Sequence, residues 1–222
     1  METFKNIKLI GTSHIAIQSV REVKSMILKE KPEIIALELD KKRFYALTTP
    51  NPKKALKISS IGLKGYLFAK IGYWIQQKIG KAIGILPGTE MKTAIDLAKK
   101  TNSEIYLIDQ DIEITLKKLS KEITWKEKLT FLKELFLSPF SKKIKIDLRK
   151  VPEKELIDTT IQKVKKQYPS IYKVLIGERN EIMAKNLYKI MSINQDKKII
   201  AVIGAGHLDE ITRLLEEYAK KN

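Results

Sequence analysis

The sequence has 222 residues, of which 43% are hydrophobic and 7% aromatic, enough chain for one sizeable core. It has no cysteine, which excludes disulfides, thiolate metal sites and cysteine nucleophiles. No apolar run reaches the ~18 residues of a membrane span. The net charge of +17 suits an anionic partner or, more plainly, a lysine-rich solvated surface.

Residues 5–12 read as a first buried strand, and Ser19-Val20-Arg21-Glu22 as a capping box opening a helix with Val20, Val23 and Ile27 at helical spacing. Lys31-Pro32 ends that helix. Residues 33–39 form a second apolar strand that ends in Glu38-Leu39-Asp40. Strand, helix, strand within this span is a βαβ unit with parallel strands. Residues 41–89 carry ten Lys or Arg and no Asp or Glu. Within them Leu67, Ile71, Trp74, Ile75, Ile79 and Ile83 recur at helical spacing. This predicts an inserted basic helical element over about residues 53–86, suited to an anionic membrane surface, to homo-oligomer contact, or to packing on the sheet.

Pro87-Gly88-Thr89 starts the next helix, with Glu90 in its first turn and Met91, Ala94, Ile95 and Ala98 inward. Residues 104–108 are a third apolar strand ending at Asp109-Gln110-Asp111, where Asp111 is the better helix cap. Residues 112–137 read as helical. Residues 142–148 alternate as a short edge strand or a loop, and residues 152–166 as a helix. Pro169 opens another helix that runs to about Ser192 with a hitch at Gly177. Residues 199–203 are the last buried strand, followed by a closing helix. The fold class is therefore α/β, a single domain over residues 1–222 with a central, largely parallel or mixed sheet flanked by helices.

The chain has two histidines, and each ends a Gly-x-x-His step leaving an apolar strand: Gly11-Thr12-Ser13-His14 and Gly204-Ala205-Gly206-His207. Glycine is 10 of 222 residues, so both coincidences arise by chance about once in 500. Strand carboxyl ends are where open α/β sheets bind ligands. Two imidazoles beside Glu38, Glu90 and Asp109 make a candidate divalent-metal site for manganese, iron, cobalt or zinc, with water as the nucleophile. Arg179 either steadies a developing oxyanion or makes a surface ion pair. Glu38 has an alternative as a helix cap or ion pair, and Glu90 as a favourable charge on a helix N-terminus. Ser13 has no Gly-x-Ser-x-Gly elbow, and Gly204-x-Gly206 lacks the third glycine of a dinucleotide fingerprint. Nucleic acid rests on net charge alone and is not the expected partner.

Taken in order, Gly11-Thr12-Ser13-His14, Pro32 to Asp40 with Arg43, Gly88-Thr89-Glu90-Met91, Leu107 to Asp111, Glu178-Arg179-Asn180 with Met183-Ala184, and Gly204 to Leu208 together resemble the TraB/PrgY family. They are more distantly similar to the Tiki metalloproteases and the erythromycin-esterase-like fold. The resemblance implies a metal-dependent peptidase-like site acting on a peptide or protein substrate. His14, His207, Glu38 and Glu90 would hold the metal, and Glu38, Arg179 and Asn180 would do the chemistry. The alternative it implies is a non-catalytic peptide-binding or regulatory protein. Two positions depart from the family pattern: Gln110, where Arg is usual, and Glu210, where Gly is usual. Family members continue into C-terminal membrane helices that these residues do not include. The expected location is cytoplasmic, with membrane association through such helices.

Overall fold

The computed structural model describes residues 1–13, 17–49, 66, 70, 88–137 and 154–221. The expected basic element over residues 53–86, apart from residues 66 and 70, and the alternating residues 142–148 lie outside the described residues, as does His14. Five strands, β1 (Glu2–Phe4), β2 (Ile7–Thr12), β3 (Ile34–Leu37), β4 (Glu104–Leu107) and β5 (Ile199–Gly204), form one sheet in the order β1-β2-β5-β3-β4. β1 is antiparallel to β2, and the β2–β5, β5–β3 and β3–β4 pairings are parallel. This is the mixed α/β sheet expected. β2 and β3 share a direction, as the βαβ reading requires, but β5 lies between them. All six residues of β5 are buried, because helices cover both sheet faces.

The helices are α1 (Ile17–Glu30), α2 (Lys41–Thr48), α3 (Thr89–Thr101), α4 (Ile112–Glu122), α5 (Trp125–Leu137), α6 (Lys154–Gln167), α7 (Pro169–Tyr172), α8 (Glu178–Ile193) and α9 (Leu208–Lys221). On one face Val23 and Ile27 of α1 and Met91, Ala94 and Ile95 of α3 pack against Ile10, Ile35, Ile200 and Val202. On the other, Met183 and Leu187 of α8 and Ile211 and Leu214 of α9 pack against Leu9, Ile34, Ala36 and Ala201. The odd and even residues of each strand thus serve opposite cores. β2 leads to a helix on one face, and its neighbour β5 leads to a helix on the other. Such divergence opens a crevice at the strands' carboxyl ends.

Both glycine turns meet in that crevice. Gly11 pairs with Ile203, and Thr12 with Gly204. A Cβ at Gly11 would come within 3.2 Å of Leu208 Cδ2 and 3.3 Å of the Ala205 Cα. Gly11 is therefore the residue that lets the turn after β5 lie against β2.

Three local readings are corrected, and the hitch expected at Gly177 is borne out. A three-residue strand, β1, precedes β2 and turns through Lys5 at φ 51°; it is too short to show a period. α1 begins at Ile17, so Ser19 is interior rather than its cap, and the Ser19 hydroxyl accepts from the Ser13 backbone N–H at 2.8 Å. Residues 112–137 are two helices, because Thr124 and Glu127 form a reciprocal capping box: Glu127 Oε2 accepts from Thr124 N at 2.8 Å and Thr124 Oγ1 from Glu127 N at 3.2 Å. The hitch at Gly177 is a π turn over Lys173–Gly177.

Two outcomes follow. Gly11→Ala forces the β5 turn away from β2 and costs about 1–3 kcal/mol, read as a lower urea midpoint with an unchanged slope. The second concerns Glu127, whose Oε1 also accepts from Ser170 N at 2.7 Å and so fastens α5 to α7. Burial works to raise its pKa, but the Thr124 and Ser170 hydrogen bonds outweigh burial and hold it below 4.5. Its contribution is therefore complete above the unfolded value and lost as pH falls through the lower folded value. Glu127→Gln should lower the thermal midpoint at neutral pH, and the gap to wild type should close in acid.

Candidate functional site

Each functional side chain hangs from the end of a core element. β3 runs into Glu38, β4 through Ile108 into Asp109, and β5 into Gly204 and a single 3₁₀ turn, Ala205–His207. Arg179 and Asn180 open α8, just after the π turn. The acids divide by what caps the helices. Asp40 caps α2, accepting from the Lys42 and Arg43 backbone, and Asp111 caps α4, accepting from Glu113 N. Glu38 and Asp109 have no such task, and their side chains are 3% and 0% exposed.

Arg179 joins them. Its Nη2 donates to Asp109 Oδ2 at 2.6 Å and to Glu38 Oε1. Its Nε donates to Asp109 Oδ1 and Oδ2 at 3.1 and 3.2 Å. Its Nη1 donates to the Leu175 carbonyl at 3.0 Å and faces His207 Nε2 at 3.5 Å. A guanidinium has five N–H groups, and these contacts occupy them all. Burial works to lower the Arg179 pKa, and the Asp109 hydrogen bond and the Glu38 charge override it, so the group is held above its ordinary value. Arg43 is raised in the same sense: burial opposes its charge, and Asp109, then Asp40, prevail. It donates from Nη2 to Asp109 Oδ2 at 2.5 Å and from Nε to Asp40 Oδ2 at 2.7 Å.

The state of His207 follows from its neighbours. Arginine can only donate, so Nε2, facing Nη1, carries the lone pair. The ring proton is then on Nδ1, which lies 2.6 Å from Asn180 Oδ1, an acceptor. Both contacts fit the tautomer with its proton on Nδ1. Asn180 is 1% exposed, and its Nδ2 has no hydrogen-bond partner among the described residues. Glu38 is held from its other side, its Oε2 accepting from Gly204 N at 2.5 Å.

The structure therefore brings together Glu38, Asp109, Arg179, Asn180, Gly204 and His207. Glu178, their sequence neighbour, is turned away to Lys118 at 2.9 Å. Glu90 is buried in the first turn of α3 beside Met91 and Ala94. A Cβ at Gly206 would meet Ile161 Cδ1 of α6 at an ordinary 3.5 Å. Arg43 and the Leu175 carbonyl join the cluster without a role assigned from sequence. Arg43 was legible as the residue three beyond the cap Asp40, whereas Leu175 depends on the π turn, whose one trace is the hitch at Gly177.

The donor chemistry suits a divalent cation. A neutral imidazole nitrogen and a carboxylate oxygen, His207 Nε2 and Glu38 Oε1, stand 3.6 Å apart. Two bonds of ~2.1 Å at a tetrahedral angle span ~3.4 Å. Glu38, Asp40 and Asp109 against Arg43 and Arg179 leave one negative charge in excess when His207 is neutral. The donor set is incomplete: among the described residues no group of three His, Asp or Glu side chains could hold a metal.

Asp109 answers two guanidiniums from full burial, whereas Asp111, two residues on, caps a helix at the surface. Asp109→Ala should cost about 3–5 kcal/mol, the penalty of stranding a buried charge, and Asp111→Ala about 1 kcal/mol. Urea unfolding of the two variants checks the ranking.

Comparison with known proteins shows the family. The model of the TraB/PrgY/gumN family matches residues 3–222. An uncharacterised protein of Methanocaldococcus jannaschii is 39% identical over 226 residues, covering 98% of this chain and 55% of its own. TraB domain-containing proteins of Mus musculus and Homo sapiens are each 22% identical over 240 residues, covering 96% of this chain and 63% of their own. The chain thus spans between half and two thirds of the length of these relatives. Among the described residues no helix is long and apolar enough to cross a membrane. With the family pattern matched from β1 to the end of α9, the chain belongs to the TraB/PrgY/gumN family.

Proposed function

We propose that the carboxyl edge of β3 and β5 is a metal-dependent hydrolase site for peptides. The observation that carries the reading is the pair His207 Nε2 and Glu38 Oε1, 3.6 Å apart, inside a cluster with negative charge in excess. His207 would turn its Nε2 lone pair from the long 3.5 Å contact with Arg179 Nη1 to the metal, Glu38 would give Oε1, and His14, two residues beyond β2 in the sequence, is the candidate third ligand. Manganese, cobalt and zinc all suit such donors. A divalent cation held there supplies Lewis acidity toward a peptide carbonyl and lowers the pKa of water.

The remaining work belongs to the chain. Asn180 holds the Nδ1 proton and so keeps Nε2 as the donor. Gly204 N–H fixes Glu38 Oε2, which leaves the carboxylate oriented to take a proton from water. Arg179 acts here chiefly by position: it fixes Glu38 and Asp109 and sets a permanent positive charge beside the reacting centre. A second reading, a peptide-binding regulator without turnover, is favoured by the full occupation of Arg179. Every N–H it has is already used within the protein, so it has none to offer an oxyanion.

Calorimetry with manganese, cobalt and zinc, beside hydrolysis of a quenched peptide library, separates the two. On the hydrolase reading, wild type binds one divalent ion, His207→Ala loses that binding, and Arg179→Lys keeps it but loses on the order of 100-fold in turnover. Divalent binding that His207→Ala leaves intact would sink the reading. Peptide binding without hydrolysis in the metal-loaded protein would establish the regulator instead.

A further inference from the structure

α5 is built unlike the other helices. Trp125 is 77% exposed and Leu129, one turn on, 61%. Residues four apart lie one above the other on a helix, so the two make a single outward apolar ridge. Lys126 and Lys133, seven apart and both exposed, run along one side of it. Lys128 lies on the other side, its Nζ 4.3 Å from the Trp125 ring centre. The opposite side of the helix is anchored, since Glu127 is 2% exposed and bound to Thr124 and Ser170. A fixed helix thus holds an apolar ridge, bracketed by lysines, out toward solvent.

Among the acids of this region whose side chains are described, three are committed elsewhere. Glu113 pairs with Lys42 at 2.8 Å, Glu122 with Lys173 at 2.7 Å, and Glu127 is buried. Among the described residues no ion pair involves Lys126, Lys128 or Lys133. Among the described residues the ridge therefore carries uncompensated positive charge. A second copy of this chain is a poor occupant, because each copy brings the same lysines and a net charge of +17. An anionic lipid surface matches both features. Trp and Leu enter the boundary between headgroups and acyl chains, while lysine stems lie along the apolar surface and their ammonium groups reach phosphate and carboxylate headgroups.

We propose that the Trp125–Leu129 ridge of α5, with Lys126, Lys128 and Lys133, is a docking surface for an anionic phospholipid bilayer. This face of the described residues would lie on the membrane surface. The inference rests on none of the residues of the proposed hydrolase site.

The test uses the full chain with Trp74→Phe, leaving Trp125 as the sole tryptophan. Vesicles of phosphatidylserine with phosphatidylcholine are compared with phosphatidylcholine alone. Trp125 emission should shift to the blue on the mixed vesicles, not on the zwitterionic ones, and return with salt. Leu129→Glu, and Lys126→Glu with Lys133→Glu, should each lower vesicle affinity at least ~10-fold with an unchanged circular dichroism spectrum. Vesicle binding with Trp125 emission unmoved would place the contact elsewhere and overturn the proposal. Equal vesicle affinity in wild type and both variants would also overturn it. So would light scattering showing a dimer that Leu129→Glu dissociates while vesicle affinity is unchanged, since a second copy would then be the occupant.

Discussion

The edge of the sheet depends on one buried guanidinium. β3 and β4 deliver Glu38 and Asp109 to the same place, and two carboxylates there repel unless a cation lies between them. Arg179 is that cation, touching both. Removing three charges from water costs about what their attraction returns, so the cluster defines geometry more than it adds stability. Asp109 is shared with Arg43, whose Nε holds the cap Asp40. The orientation of α2 is tied through this chain to the first turn of α8. Gly204 N–H binds the remaining Glu38 oxygen, which links β5 to the same set.

This constraint also positions His207. The ring stands between a donor-only group, Arg179, and an acceptor, Asn180 Oδ1. Reversing the tautomer would set an N–H against a guanidinium N–H and a lone pair against a carbonyl oxygen. Arg179 and Asn180 are adjacent in sequence, so the first turn of α8 reads both ring nitrogens at once. The π turn before it is part of that placement. It offsets the helix that starts at Pro169 and leaves the Leu175 carbonyl beside Arg179 Nη1. Single π turns inside helices recur at functional sites for this reason: they re-aim side chains without ending the helix.

Sequence reasoning recovered what one strong local signal carries. The buried strands at Ile34 and Ile199, the neighbouring glycine turns, the Asp111 cap and the acids at the ends of β3 and β4 all follow from period, apolar runs or capping preference. It failed where two signals compete. Ser19-Val20-Arg21-Glu22 matches a capping box, yet Ser19 serves the end of β2 because the neighbouring backbone needs an acceptor there. Residues 112–137 keep a helical period through Ile123, which hid the competing capping box Thr124-Trp125-Lys126-Glu127 that breaks them. The sharing of Arg179 between Glu38 and Asp109 was not legible either. It depends on β3 and β4 being neighbours and on the offset of the π turn, and neither leaves a local pattern.

The surface and the site carry opposite signs. The chain has seventeen positive charges in excess, mostly on lysines facing water, while the buried cluster of three carboxylates and two guanidiniums has a negative excess. These do not cancel, because fields between exposed charges are screened within ~8 Å at physiological salt and buried ones much less. A molecule approaching the protein responds first to the lysines, which favour anions. A group that reaches the end of β5 responds to the cluster, which favours a cation or a neutral dipole with its positive end inward. Attraction to the protein and acceptance at the site therefore select for different chemistry. On the proposed hydrolase reading, a ligand satisfying both would be anionic in one part and electrophilic in another, as an acidic peptide is when its carbonyl carbon is the part presented.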